Sequence, residues 1–300
     1  MNNSPTIIIN ADDLGFSPQV NAAILRCAEL GTVTAASVMV NMPFAESALQ
    51  QVRERVPQLS LALHFTLTSG KPVSSPQEVP LLVDPSGLFR LGFLSLWRTL
   101  ASKQRTALLA QIQTELSAQL HRMDQLTEKY QVRFDHLDSH QHVHVLSGIW
   151  ELLQLEATQR RLSLRVPREQ WGHFKRWCRR CPTWVPNGLL KQTILNRCLQ
   201  NIPQEIGYFG ILETGRMDDS ALLAIFQSVA QHRSFDTYEI NTHPSILTGS
   251  EARGELCGSN ADKQFHASLW REREFHALNC DVVLQWVQQY GITLTGFAIT

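Results

Sequence analysis

Short apolar segments alternate with amphipathic segments along this chain. Residues 6–10, 34–40 and 59–63 are compact and rich in β-branched or small apolar side chains, which favours buried strands. Residues 18–30 and 43–56 lie between and beside these segments and predict helices. Strands and helices that follow one another in this way are typical of a mostly parallel sheet.

The same alternation continues through the rest of the chain. Residues 105–130 give the clearest helical pattern, because seven apolar residues recur on one face: Leu108, Leu109, Ile112, Leu116, Leu120, Met123 and Leu126. The elements predicted after it are strand 132–137, helix 146–159, strand 163–166, helix 189–199, strand 206–211, a helix capped near Asp218, strand 235–241, helices 266–278 and 281–290, and strand 292–295.

Three regions interrupt this rhythm and are interpreted as inserted loops, at about 69–104, 169–203 and 245–264. The first holds Phe89, Phe93 and Trp97, which would either line a wall of a site or form a small satellite core. The second holds three of the seven tryptophans, Trp171, Trp177 and Trp184, and no role is assigned to it.

These elements favour a single α/β domain over residues 1–300, built as a distorted (β/α) TIM-like barrel. A barrel with fewer than eight strands is kept as an alternative. No Gly-x-Gly-x-x-Gly follows the first strand and no phosphate-loop lysine motif occurs, which disfavours nucleotide-binding folds. The active site is expected at the C-terminal ends of the strands, where parallel barrels carry their chemistry.

Composition limits the partners. Lys plus Arg is 27 and Asp plus Glu is 27, so the formal net charge is zero and no nucleic-acid partner is expected. No apolar run approaches the roughly 18 residues of a membrane span, and no signal peptide is recognised. The six cysteines are scattered, and Cys178-x-x-Cys181 lacks a second pair, so plain thiols and a cytoplasmic location are expected.

The densest group of candidate chemical residues is the segment 134–144. It carries His136, His140, His142 and His144 together with Asp135 and Asp138. Clustered imidazoles and carboxylates are the ligands from which metal sites are built. If the chain stays extended after the strand, alternation places His140, His142 and His144 on one side.

Two adjacent carboxylates, Asp12 and Asp13, end the first strand. Ser17-Pro18 already supplies a helix cap, so the pair is free for chemistry. Adjacent residues of an extended chain point to opposite sides. We therefore expect one carboxylate to bind a metal and the other to face the reactant.

Ligand-type residues recur at four predicted strand exits, which favours one shared site: Asp12, Asp13, His64, Asp138, His140 and His243. One carboxylate and two imidazoles, with a second carboxylate beside them, suit a metal with an open position for water. Such a site favours hydrolysis of an amide or ester, and no Gly-x-Ser-x-Gly motif indicates a serine hydrolase. Arg165 and Arg168 bracket another strand exit, where either could meet a carboxylate or a substrate oxygen.

Four motifs together resemble the YdjC-type carbohydrate deacetylases, a group that includes chitooligosaccharide and hopanoid-associated deacetylases. They are Asn10-Ala-Asp-Asp-Leu-Gly15, Leu63-His64 with Thr66-Leu-Thr68 and Gly70-Lys-Pro72, His136-Leu-Asp-Ser-His-Gln-His-Val-His144, and Thr242-His-Pro244. The resemblance implies a YdjC-like barrel that removes acetyl groups from N-acetylated sugars with a divalent metal. Ala62 departs from the glycine common at that position.

By position, the resemblance implies that Asp13, His64 and His140 bind the metal, that Asp12 is the general base and that His243 is the general acid. Another four residues would contact the substrate or orient the metal ligands: Asp138, His142, His144 and Arg165. Magnesium is the metal that the resemblance implies, and zinc or another transition metal is left open.

The substrate is expected to be a small sugar, an oligosaccharide or a sugar-bearing lipid, and a homodimer is left open. Two other functions are weighed against the deacetylase. One is another divalent-metal barrel enzyme acting on sugars, of the isomerase or aldolase type. The other is a sugar-binding protein without catalytic activity, which would have no need for a proton-transfer pair.

Overall fold

Strand β1 (Thr6–Leu14) lies inside the sheet and is buried along almost its whole length. The computed structural model describes residues 4–170, 186–214, 216–231, 233–246 and 260–297. Within these residues, β1 pairs with three other strands, all of them parallel to it. This position makes the end of β1 the natural centre of any site at the edge of the sheet.

Seven further strands complete the sheet in the described part of the chain: β2 (Ala35–Val38), β3 (Ser60–Phe65), β4 (Phe134–Ser139), β5 (Ser163–Leu164), β6 (Ile206–Phe209), β7 (Thr237–Thr242) and β8 (Thr293–Leu294). Their order is β5-β4-β3-β2-β1-β7-β6, with β8 paired to the start of β1. A single parallel β-bridge pairs Glu169, which follows β5 in the chain, with Tyr208 of β6. The sheet is a half-barrel consistent with the distorted TIM-like barrel predicted.

The described helices are α1 (Pro18–Leu30), α2 (Ala45–Arg55), α3 (Phe93–Leu100), α4 (Arg105–Tyr130), α5 (Ile149–Arg160), α6 (Pro186–Leu199), α7 (Asp219–Gln231), α8 (Asn260–His266), α9 (Leu269–Leu278) and α10 (Asp281–Tyr290). The helix predicted over 266–278 begins later, at Leu269, because the preceding helix ends at His266 and Ser268 caps the next one. None of these described helices is long and apolar enough to cross a membrane.

The interior of the barrel changes from apolar to polar along the strands. Ile8, Ala35 and Phe297 form a small apolar cluster near the N-terminal ends of β1 and β2. Further along the same strands, Asn10 donates hydrogen bonds of 2.8 Å to Ser37 Oγ and to Asp12. Buried polar groups in proteins are normally hydrogen-bonded to one another. This layer is therefore an ordered polar network and not a packing defect.

The insertion at 69–104 packs as part of the protein core. Phe89 and Phe93 are buried in the main apolar cluster, whereas Trp97 is 41% exposed. None of the three lines the candidate site described below. Phe89 and Phe93 therefore belong to the main core, so both the wall interpretation and the separate satellite core are wrong for them. Trp171, Trp177, Trp184, Cys178 and Cys181 lie outside the described residues.

The helix that follows the Asp12-Asp13 pair begins as predicted. Ser17 is fully buried, and its hydroxyl accepts a hydrogen bond of 3.2 Å from the Val20 N–H. Loss of such a cap costs about 0.5–2 kcal/mol. We expect Ser17→Ala to lower the free energy of unfolding by this amount in urea titrations. Ser95→Ala, on the exposed face of α3, should change it by less than about 0.5 kcal/mol.

Candidate metal and catalytic site

The two carboxylates at the end of β1 face the same histidine. Asp12 Oδ2 lies 3.9 Å and Asp13 Oδ1 lies 3.3 Å from His64 Nε2. The expectation that they point to opposite sides is wrong, because the strand does not stay regular there. Asp13 has φ of 71°, and the pairing with β2 shifts register between Ala11 and Leu14. This left-handed residue brings both side chains to one site.

His64 lies near the end of β3 and is 1% exposed. Its Nδ1 shares a hydrogen bond of 2.6 Å with Asp138 Oδ1, which leaves Nε2 directed at Asp13. Burial alone would lower the pKa of His64, but the Asp138 and Asp12 carboxylates outweigh it and raise the pKa to about 10. The imidazole therefore lies in a strongly negative environment that also favours a metal cation.

His140 also faces Asp13. It follows β4 directly, and its Nε2 lies 3.9 Å from Asp13 Oδ1. Its Nδ1 shares a hydrogen bond of 2.5 Å with Thr68 Oγ1. The structure thus brings Asp13, His64 and His140 together from three separate strand ends, with one ring nitrogen of each histidine toward the same carboxylate oxygen.

The histidine-rich segment does not remain extended after β4. Residues His140–Val145 form a 3-10 turn in which Gln141 and His142 have φ of 56° and 58°. The prediction that His140, His142 and His144 share one side is therefore wrong. His142 lines the pocket, and His144 turns away, with its Nε2 3.0 Å from the Arg165 backbone oxygen.

Arg165 lies behind the two aspartates at the exit of β5. Its guanidinium nitrogen Nη2 is 3.0 Å from Asp12 Oδ1, 2.7 Å from Asp138 Oδ2 and 2.7 Å from Glu239 Oε1. All four side chains are at most 3% exposed. Arg168 instead bonds Gln204 and the Leu199 backbone oxygen, outside the site. Of the two arginines, only Arg165 meets the carboxylates.

His243 follows β7 and completes the ring of predicted residues. Its Nε2 lies 3.7 Å from Asp12 Oδ2, and its backbone N–H donates to Glu274 Oε1 at 2.9 Å. Burial lowers the pKa of His243 to about 3, against the opposing charges of Asp12 and Asp13. The imidazole is therefore neutral near pH 7.

These side chains surround a cavity of about 260 Å³. Its lining includes Asp12, Asp13, His64, His140, Gln141, His142, Lys191, Thr214, His243, Asp262 and Phe265. Most of these groups are polar, and the aromatic face of Phe265 stands at 90° to the His243 ring with 5.2 Å between centroids. Concave sites with converging polar groups are the usual form of enzyme pockets.

The donor set fits a divalent metal. Within the part of the chain that the structure describes, Asp12, His64 and Asp138 each offer one potential ligand atom, and these atoms all lie within 4.8 Å of one another. Asp13 Oδ1 is buried and accepts no hydrogen bond from the described residues, although His64 Nε2 is near. A buried carboxylate oxygen that accepts no hydrogen bond is costly, so this cluster of Asp and His side chains could bind a metal here.

Comparison with known proteins agrees with this geometry. The family model for YdjC-like proteins matches residues 6–289. The chain belongs to the YdjC-like family. This match contains every strand from β1 to β7 and all the residues placed around the cavity above.

Curated relatives of this YdjC-like chain carry sugar-deacetylase names. A carbohydrate deacetylase of Thermoanaerobacter pseudethanolicus is 30% identical over 98% of both chains. One of Brevibacillus brevis is 30% identical over 97% of this chain and 98% of its own. A chitooligosaccharide deacetylase of Proteus mirabilis is 37% identical over 54% of this chain and 59% of its own.

A solved structure shares the fold. It is described as a putative cellobiose-phosphate cleavage protein from Enterococcus faecalis, and it covers 98% of this chain and 97% of its own. The TM-score is 0.71 and the sequence identity is 22%. This similarity supports the single α/β domain and its half-barrel sheet.

Sequence reasoning missed several residues that this YdjC-like chain places at or beside the cavity: Lys191, Tyr208, Glu239, Asp262 and His266. Lys191 and the pair Asp262 and His266 come from helices, so no strand exit marked them. Asp262 and His266 are four residues apart, a spacing that puts two side chains on one helix face. That spacing could have marked both residues, but residues 245–264 are interpreted as a loop from their sequence.

Proposed function

We propose that this protein is a metal-dependent deacetylase that removes acetyl groups from N-acetylated oligosaccharides or sugar-bearing lipids. The observation that carries the proposal is the Asp13 carboxylate oxygen, which faces the Nε2 atoms of His64 and His140 inside a polar pocket. The curated relatives support an N-acetylated sugar as the substrate class.

Asp13, His64 and His140 are the proposed metal ligands. Both histidines engage Nδ1 in a hydrogen bond and turn Nε2 toward Asp13, which is how protein metal ligands are commonly oriented. The compact alternative set of Asp12, His64 and Asp138 is weaker. Asp138 already occupies His64 Nδ1, and the charges of Asp12 and Asp138 are compensated by Arg165.

Two kinds of divalent metal are candidates for this site. One carboxylate and two imidazoles suit zinc and other first-row metals, whereas the family resemblance implies magnesium, which prefers oxygen ligands. A divalent metal bound there would lower the pKa of a bound water and polarise the acetyl carbonyl.

Asp12 is the proposed general base. Arg165 donates to both of its oxygens, Oδ1 at 3.0 Å and Oδ2 at 3.2 Å, and so fixes the carboxylate beside the cavity. A carboxylate held in this way can take the proton of an attacking water while the water oxygen bonds to the acetyl carbon.

His243 is the proposed proton donor to the leaving nitrogen. Its Nε2 is near Asp12 Oδ2, and it is neutral at the start because burial holds its pKa at about 3. Its proton must therefore come from the reaction, through Asp12. As the carbon–nitrogen bond breaks, His243 passes this proton to the amine, which leaves acetate and a free amino sugar.

Lys191 supplies one observation in favour of the alternative aldolase-type function. No strand exit provides a lysine, but Lys191 of α6 lines the cavity, and burial lowers its pKa to about 8 although Asp12 opposes the shift. A lysine with a lowered pKa is typical of Schiff-base enzymes. Borohydride treatment with ketose or aldehyde sugars should trap no adduct on Lys191 if the deacetylase proposal is right.

The direct test is acetate release from a panel of N-acetyl sugars, N-acetylated oligosaccharides and glycolipids. We expect acetate and free amine in equal amounts from the metal-loaded protein. Stripping the metal with a chelator should lower the rate by at least about 100-fold, and adding back one divalent metal should restore it.

The controls separate the three functions. His276→Ala, which removes an exposed histidine of α9, should keep both the rate and its dependence on metal. Ketose formation without acetate would indicate the isomerase or aldolase class. Tight sugar binding without acetate release, with every metal tried, would indicate a binding protein and contradict the proposal.

A further inference from the structure

His266 ends helix α8 and lies behind the Asp13 carboxylate. Its ring is 1% exposed, packs on Phe16 with 4.1 Å between centroids and meets Phe265 edge-on at 5.1 Å. Phe16 is itself fully buried three residues after Asp13. Packing on two aromatic rings holds the imidazole in one place, which is required of a residue that orients another side chain.

The two oxygens of Asp13 face different histidines. His266 Nε2 lies 3.2 Å from Oδ2, whereas His64 Nε2 lies 3.3 Å from Oδ1. The His266 contact thus occupies the oxygen that is turned away from His64 and His140. A contact to Oδ2 sets the rotation of the carboxylate and thereby the direction of Oδ1.

The same short helix also contacts a second proposed ligand. Asp262 Oδ1 lies 3.8 Å from His140 Nε2, one helical turn before His266. Helix α8 therefore reaches Asp13 through one side chain and His140 through another. Both contacts come from outside the strand ends that supply the ligands themselves.

We infer that His266 is a positioning residue for Asp13: the polar contact of its Nε2 with Oδ2, at 3.2 Å, holds Oδ1 toward the proposed metal. This inference rests on the proposed function, because it assigns His266 a role toward the same ion. Asp13 has a left-handed backbone, which costs energy in a residue other than glycine and is stabilised by surrounding contacts. The contact from His266 is one of them.

Two isosteric substitutions test this role. In His266→Gln the amide nitrogen occupies the place of Nε2 and can still reach Asp13. In His266→Asn it occupies the place of Nδ1 and falls short. We expect His266→Asn to weaken Co²⁺ binding by about 10–100-fold, the usual effect of losing a group that orients a metal ligand. His266→Gln should stay within about threefold of the wild type.

Affinity is measured by Co²⁺ titration of the metal-free protein, followed by visible absorption. The unfolding midpoint of each metal-free variant is recorded as well. A structural role alone would lower the midpoint and leave the affinity unchanged. The visible band should keep its wavelength in both variants, since His266 is not proposed to touch the ion. His276→Asn, an exposed histidine of α9, is the matched control and should match the wild type.

Each other result has a distinct meaning. Equal affinity of His266→Asn and wild type would overturn the inference. So would an equal loss in both variants, because the position of the donor would then not matter, and a shifted band would make His266 a ligand instead. Failure of the wild type to bind any divalent metal would overturn the proposed function itself. If His266→Asn does not fold, the affinity and band of His266→Gln still decide.

Discussion

Replacing Asp12 by asparagine is expected to lower acetate release by about 10²–10⁴-fold while the protein still binds its metal. The amide keeps the size of the side chain and can still accept a hydrogen bond from Arg165, but it cannot take a proton. Asp12 Oδ2 lies 3.7 Å from His243 Nε2, so the substitution also cuts the supply of a proton to the leaving nitrogen.

Asp13→Asn is the matched partner of this substitution, one residue along the same strand. It should weaken metal binding strongly, because an amide oxygen carries no charge to hold the cation between His64 and His140. Initial rates and metal titrations of both variants would separate the base from the ligand. If Asp12→Asn kept the wild-type rate on every N-acetyl sugar that the parent cleaves, the base assignment would be wrong.

The sequence was sufficient to predict that several ligand-type side chains converge at the ends of the strands. Each strand-exit residue was marked by a polar side chain directly after a short apolar run, and such positions converge in a parallel barrel. His64, His140 and His243 were found in this way, and the structure brings all three to the cavity at the end of β1. The amphipathic pattern of α4 also gave both of its bounds.

Local backbone irregularity could not be predicted from the pattern. Alternation assumes an extended chain, yet Asp13, Gln141 and His142 all have positive φ. At each of these positions the chain leaves the strand geometry, and the side chains no longer follow a period of two. Residue type marks the change only weakly, because none of the three is glycine, although aspartate and histidine adopt positive φ more often than most residues.

Contributions from helices were missed for a different reason. Lys191 reaches the cavity, and His266 reaches Asp13, only because tertiary packing brings α6 and α8 over the strand ends. A single sequence without this packing gives an isolated lysine and an isolated histidine, which are more often structural than functional. The residues around the proposed ligands are therefore the part of a site that requires a structure.

The charges beneath the site form one unit around Arg165. Asp12, Asp138 and Glu239 all approach the same guanidinium nitrogen, and none of these side chains is more than 3% exposed. Ser37 adds a hydrogen bond of 2.5 Å to Asp138 Oδ2. Removing Arg165 takes away the cation that faces all three buried carboxylates and leaves His64 beside Asp138 and Asp12. Loss of one partner from a buried ion pair is among the costliest changes that a protein interior can undergo.

Arg165→Met is therefore expected to lower the free energy of unfolding of the metal-free protein by about 3–5 kcal/mol, measured in urea. Methionine fills much of the volume, so the loss reports charge more than packing. Arg160→Met is the control. Arg160 pairs with Asp124 at 2.8 Å and Glu156 at 3.2 Å, but it is 31% exposed, so its loss should cost under about 1 kcal/mol.

The pH dependence of this difference gives an independent check. Burial would raise the pKa of Asp138, but Arg165 and His64 hold it below its usual range in the wild type. That stabilisation is present above the unfolded-state pKa of about 4 and is lost as the pH falls through the folded-state value. Without Arg165, the buried carboxyls take up protons at higher pH and shed their uncompensated charge. The difference between Arg165→Met and wild type should therefore shrink as the pH falls from 7 towards 4, and a difference that stayed constant would indicate lost packing rather than lost charge.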